Sequence, residues 1–347
     1  MSDPTYRKFD DKPDPGFSQK VRDHVAQTGR PETMAELYHG AISPDERFRI
    51  VCEITVNQRK RPEADKAPCP MCTPNRFLKG RLCWFPEKRF AAVIGHCCAS
   101  RENSAEAERI YKHEQLEIAD HNYLLTVLPA VPRMLAAIEE LKITAVEARR
   151  LHRQFASKGG EVQRILRAVG KDVGRLVVPE VIERKFGSGP AGFRGTSGVQ
   201  TRDVSFGYLR GLTVLQSKFD PVAKLERLER ELRLLDCGDT DDATLTFVIG
   251  LEEADRRRAV IWLKEADKEF MEIMKSLGDV EAFFAPRNID AIRRWSLHRD
   301  NMHTITVVDH DADDGRREIM FIGKTSRVRL QPGPELAGHH VEWPKAA

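Results

Sequence analysis

Between residues 69 and 98 the chain carries Cys69-Pro70-Met71-Cys72, an isolated Cys83 and then Gly95-His96-Cys97-Cys98. Five of its seven cysteines, with one histidine, crowd into this short stretch. Thiolate and imidazole suit Zn²⁺, four such ligands close its tetrahedral shell, and a Cys-x₂-Cys turn lets two sulfurs reach one ion. Any fold of this chain therefore has to bring the two ends of the stretch together. Side chains alternate in direction along a strand, so His96 and Cys98 would share a face while Cys97 points away. The expected ligand set is Cys69, Cys72, His96 and Cys98, with Cys97 as the alternative fourth ligand and Cys83 after it. So many donors favour a closed, structural shell over a catalytic site with an open position. The cysteine spacing also fits neither common ferredoxin pattern. Cys52 and Cys237 stand alone and read as small buried hydrophobes.

Composition sets the context for this cluster. The chain is 31% charged and 41% hydrophobic, with a mean hydropathy of -0.47. Residues 1–20 lack an apolar core of the secretory kind. The longest apolar stretch, Tyr123 to Ile138, is interrupted by Pro129, Pro132 and Arg133 and is too short to span a bilayer. A cytoplasmic protein with no membrane association is expected. In that reducing setting clustered cysteines are metal ligands rather than disulfides. Charge is unevenly spread. From Arg59 to Arg101 ten lysines and arginines face three acidic residues, so this segment carries +7 of a chain whose net charge is +3, and the remainder is −4.

Periodicity and breakers divide the chain as follows. Residues 1–31 read as a disordered N-terminus, and 32–62 as a short α/β lead-in with a strand near Arg47 to Val56. Residues 63–103 form the metal-binding segment, with strands at Arg76 to Phe85 and Lys88 to Gly95 turned at Pro86-Glu87. Residues 104–177 read as a long helical hairpin. Its first helix stops at Leu128-Pro129, its second runs from Val131 to Ser157, and a third helix spans Glu161 to Leu176. Residues 178–218 are a glycine-rich linker and 219–300 a helical region, in which Pro221 opens a helix carrying Leu225, Leu228, Leu232 and Leu235. Residues 301–330 form a β-hairpin turned at Asp314-Gly315, and 331–347 a tail. The expected fold class is mainly α: a long helical hairpin or bundle with a small N-terminal zinc ribbon and a C-terminal β-hairpin.

The basic residues of the cysteine-rich stretch are interleaved with rings: Arg76-Phe77, Lys79, Arg81, Trp84-Phe85 and Lys88-Arg89-Phe90. Cations neutralise phosphate and release counterions, and an exposed ring can stack on a base. Arg76, Lys79, Arg81, Trp84, Lys88 and Arg89 are accordingly the expected nucleic-acid contacts. The competing reading makes Trp84 or Phe90 the module's own core. Residues 69–98 resemble the zinc-ribbon class, and the pairing of Cys-Pro-x-Cys with a later Gly-His-x-Cys is similar to uncharacterised ribbon proteins of phage or prophage type. Unlike the commonest ribbons, the chain lacks a second Cys-x₂-Cys. The resemblance implies contact with nucleic acid or with a nucleic-acid enzyme.

Other motifs fall short. Gly187 to Gly192 satisfies GxGxxG but follows no strand and opens no helix. Asp309 to Gly315 approaches a calcium loop, yet the glycine falls one place late and Met320 stands where a bidentate Glu belongs. His113, Glu117, Asp120 and His121 share one side of a helix, the usual mark of a solvated polar face. No nucleophile–base constellation emerges, which argues against an enzyme. The expected function is a nucleic-acid-binding accessory protein with structural Zn²⁺, whose helices, in part coiled-coil-like, mediate homo-oligomerisation or contact with a protein partner. The alternative is a non-enzymatic scaffold or regulator docking on RNA polymerase or a replication enzyme.

Overall fold

The computed structural model describes residues 6–61, 65–72, 76–99, 105–171, 174–182, 200–336 and 341–344. The chain divides into two compact units, Met1–His121 and Asn122–Ala347.

In the first unit α1 (Pro15–Thr28) opens with Asp14 accepting from the Phe17 N–H, an N-cap followed by Pro15 at the first turn. It buries Phe17, Val21 and Val25, spaced one turn apart. β1 (Arg49–Thr55), the short pair β2 (Ala67–Pro68) and β3 (Arg76–Phe77), β4 (Lys79–Phe85) and β5 (Phe90–Gly95) follow. A single helical turn, α2 (His96–Ala99), follows, and the long α3 (Ala105–Val127) carries the chain out of the first unit after His121. The main sheet is antiparallel in the order β1-β4-β5, with Glu53 opposite Arg81 and Gly80 opposite Gly95. β5 is buried at every position and β4 at all but Lys79, so both faces of these strands are covered. The segment before α1 lies across the β4–β5 turn, where Phe9 N–H donates to the Arg89 carbonyl at 2.8 Å, and from the segment after α1 the Tyr38 ring stacks on Phe90 at 4.1 Å.

The second unit is built on α4 (Val131–Lys158), which buries Ile138, Leu141, Ala145, Ala148, Leu151 and Phe155. α5 (Gly160–Lys171) leads to a ribbon of β6 (Arg175–Ile182) and β7 (Gln200–Tyr208). α6 (Pro221–Leu234), α7 (Asp241–Gly250), α8 (Glu253–Phe284) and α9 (Pro286–Ser296) come next. The unit closes with β8 (Thr306–Asp311), β9 (Arg317–Ile322) and β10 (Arg327–Leu330), a sheet in the order β10-β9-β8. Phe155 of α4, Phe283 of α8 and Phe321 of β9 meet in its core, with ring centroids 5.4–6.5 Å apart. The Trp295 indole of α9 donates to the Val177 carbonyl at 3.1 Å, fixing the ribbon to the helix. Among the described residues no helix is long and apolar enough to cross a membrane.

This architecture overturns the expectation of a long helical hairpin with strands confined to a small ribbon and one C-terminal hairpin. Residues 15–28, read as disordered, form α1, and its apolar spacing is satisfied against the sheet. The third helix ends at Lys171 rather than Leu176, and the chain turns into β6 inside what was read as helix and linker. The C-terminal hairpin gains a third strand, β10, on β9. Gly315, at φ +75°, makes the turn expected there. The GxGxxG stretch lies outside the described residues.

Candidate metal centre

The Cys69–Cys72 turn follows β2, closed by a Cys72 N–H donating to the Cys69 carbonyl at 3.3 Å. Cys98 arrives from the other side, on α2 directly after β5. The Sγ atoms of Cys69, Cys72 and Cys98 all lie within 4.8 Å of one another. Cys69 and Cys98 are 3.7 Å apart and Cys98 and Cys72 2.7 Å. Zn–S bonds of about 2.3 Å in a tetrahedron separate sulfurs by about 3.8 Å, which the first distance matches. The second is too long for a disulfide, whose sulfurs sit about 2.05 Å apart. It is also shorter than the zinc-bound spacing, so Cys72 and Cys98 would have to part by about 1 Å around an ion; with that adjustment the three clustered sulfurs fit a metal ion.

The surroundings favour the thiolate at Cys69. Burial pushes the Cys69 thiol up, but N–H groups of Gly95, Met71 and Cys72, with the Cys72 side chain, donate to its sulfur and bring it below the ordinary thiol value. Gly95 contributes a bond of 3.3 Å. Cys98 is shifted upward, by burial first and then by its contacts with Cys72 and Cys69, because crowded thiols cannot all ionise without a cation between them. Gly80 and Gly95 lie opposite each other beneath Phe77. A β-carbon on Gly80 would stand 2.4 Å from the Phe77 ring and 2.6 Å from the Ile94 carbonyl oxygen. Only glycine lets Phe77 lie this close to the strands that carry the cluster.

The fourth expected ligand is placed differently. β5 ends at Gly95, and His96 and Cys98 share a helical turn instead of a strand. Residues two apart on a helix diverge by about 200°, so the shared face argued from strand alternation does not exist here. His96 and Cys97 are exposed, while Cys98 is buried. All three line a cleft of ≈ 760 Å³ with Cys69, Cys72, Lys66, Arg76 and Lys79. Cys83 is fully buried on β4, where desolvation pushes its thiol well above the ordinary value, and it belongs to the core.

The expected nucleic-acid contacts separate into three groups. Arg76 and Lys79 are exposed at the rim of the cleft, joined by Lys66, which the sequence reading had not singled out. Arg76 also pairs with Asp65. Lys88 and Arg89 sit at the far turn, about 20 Å along the strands at 3.3 Å per residue. There Lys88 reaches Glu46 at 3.7 Å and Arg89 pairs with Asp10. Arg81 and Trp84 are buried. The Trp84 indole donates to the Phe9 carbonyl at 3.3 Å and Arg81 pairs with Glu53 and Glu108, so neither offers a surface to a base or phosphate. The expected contact set, basic residues interleaved with aromatics, is thereby corrected: Arg81 and Trp84 drop out because both faces of β4 are covered, and the other four lie in two separate patches. Comparison of the chain with family models, curated proteins and solved structures finds no match to any of the three.

Proposed function

We propose that residues 1–121 form a zinc-stapled module that contacts nucleic acid through the cleft beside its metal centre. Cys69, Cys72 and Cys98 supply three thiolates, and His96 or Cys97, which line the same cleft, the fourth ligand. The ion ties the β2–β3 turn to the end of β5, a role in local folding rather than in a reaction. Lys66, Arg76 and Lys79 then present cations on a fixed frame, suited to phosphate contacts that carry no sequence information.

The observation that carries this reading is the convergence of three thiols, from segments 26 residues apart in the case of Cys72 and Cys98, at the foot of a cleft rimmed by three cations. Elemental analysis of the purified protein tests the first half, with about one zinc per chain expected. Titration of a single-stranded oligonucleotide at rising salt tests the second. With about three phosphate contacts, log K should fall with log salt at a slope near −2. Replacing Lys66, Arg76 and Lys79 by Ala should abolish both affinity and slope. Binding unchanged by that substitution removes the cleft from the interface.

A further inference from the structure

The second unit holds a cleft of ≈ 640 Å³ between the last turns of α5 and the segment after β7, lined by Arg167, Gly170 and Lys171 on one side and Leu212, Leu215, Gln216, Ser217 and Lys218 on the other. Its volume lies within the range of small-molecule sites. Three cationic side chains face it, and among the described residues no acidic side chain lines it. Among the described residues, none of Arg167, Lys171 and Lys218 is paired with a carboxylate. The neighbouring arginines of α4 are matched instead: Arg150 with Glu147 at 2.6 Å, and Arg149 and Arg153 with Asp220 at 3.6 Å. Unmatched positive charge gathered in a concavity raises the local potential for anions.

The wall opposite α5 is pinned. Gly211, at φ +69°, packs so closely on α8 that a β-carbon would fall 1.9 Å from the Asp279 carbonyl oxygen. The Thr213 hydroxyl donates to the Asp279 carboxylate, His152 Nε2 meets the Gln216 carbonyl at 2.8 Å, and Arg167 Nε donates to the Leu215 carbonyl. The Arg167 guanidinium is therefore fixed by one nitrogen at the floor, leaving its terminal nitrogens for a ligand. An arginine held in this way loses less freedom on binding than a free one. Leu212 and Leu215 add an apolar surface beside the charge.

We propose that this cleft binds a phosphorylated small molecule, its phosphoryl oxygens received by Arg167, Lys171 and Lys218 and its organic part by Leu212 and Leu215. Arginine and lysine together supply bidentate and point-charge recognition of a dianion. The site stands independently of the metal centre and of the reading given above for the first unit.

Isothermal titration of the full chain at low salt with pyrophosphate, ATP and a single-stranded oligonucleotide tests it. Saturable binding of pyrophosphate or ATP is expected, with ATP the tighter because it also covers the leucines. The Lys171→Ala/Lys218→Ala double variant, altered only at exposed positions, should bind about tenfold more weakly or worse. Arg164→Ala, on the same helix but outside the cleft, should bind as the parent does. Absence of ATP and pyrophosphate binding up to about 5 mM, binding of the oligonucleotide alone, or equal affinity in the double variant overturns the proposal.

Discussion

The guanidinium of Arg81, on the central strand of the first unit's sheet, is buried against the carboxylate of Glu108 on α3, with only 4% and 21% of the two side chains accessible. Breaking such a pair from one side leaves the other charge desolvated. Arg81→Met is expected to destabilise the first unit by about 3 kcal/mol in urea unfolding, and Arg81→Met/Glu108→Leu to regain part of the loss. Oligonucleotide affinity of the folded single variant should equal that of the parent, because Arg81 does not reach the surface. A loss of affinity at constant fold would return Arg81 to the interface.

Removing a ligand should separate the two units energetically, since each has its own buried core. Cys98→Ser is expected to lose the bound metal and with it the stabilisation that the ion supplies. That amounts to about 4 kcal/mol when free zinc is about 1,000 times Kd. Helices α4 to α9 should keep their far-ultraviolet dichroism through this transition. One cooperative transition shared by the whole chain in both parent and variant would contradict the separation.

Gly80 tests the packing beneath the cluster without touching a ligand. A β-carbon there collides with the Ile94 carbonyl, which cannot retreat while β4 and β5 remain paired. Gly80→Ala should weaken metal retention by about tenfold in a chelator competition, the usual scale for disturbing groups that hold ligands in place. Gly278→Ala, on α8, where an added β-carbon meets nothing within 4 Å, should leave retention unchanged.

Much of this was legible where one residue pattern had one physical solution. The Cys-x₂-Cys turn with Cys98, the α4 stripe ending at Gly159 and the Asp220–Pro221 start of α6 read directly, because a metal ligand set, a 3.6-residue period and a capped first turn have few alternatives. α1 was hidden because Phe17, Val21 and Val25 are embedded among charged and polar residues. β6 was hidden because the apolar run Leu176 to Val178 can be read as extending the stripe of Ile165, Leu166 and Val169, even though Gly170 and Gly174 lie between them.

The site was less legible than its ligands. Whether His96 shares a face with Cys98 depends on whether β5 runs on as far as Cys98 or turns into α2 after Gly95, and that is decided by how α2 docks, a tertiary matter. The burial of Arg81 and Trp84 likewise follows from covers supplied by distant parts of the chain: Glu108 lies 27 residues away and Phe9 75 residues away. A strand of alternating basic and aromatic residues looks the same whether its faces meet water or protein.

The acid limb of stability should report on Glu229 of α6. Hydrogen bonds from Lys142 first and Arg233 second, outweighing desolvation, hold its carboxyl at about 2, against an ordinary value of 4.5. A depressed carboxylate binds its proton more readily in the unfolded chain. Its stabilisation is therefore complete above pH 4.5 and is lost as the pH falls toward 2. The ammonium and guanidinium partners are partly solvated, with 23% and 63% of their side chains accessible, so screening reduces the contribution to about 1 kcal/mol. Glu229→Gln should thus be less stable than the parent by about 1 kcal/mol at pH 7, and the gap should close between pH 4.5 and 2. Carboxylates shifted elsewhere in the unit, such as Glu147 and Asp290, titrate equally in both proteins and cancel from the difference. Chemical denaturation of parent and variant at matched pH measures it directly, and curves that run parallel down to pH 2 would show that the Lys142–Glu229–Arg233 cluster contributes packing but no ionic stabilisation.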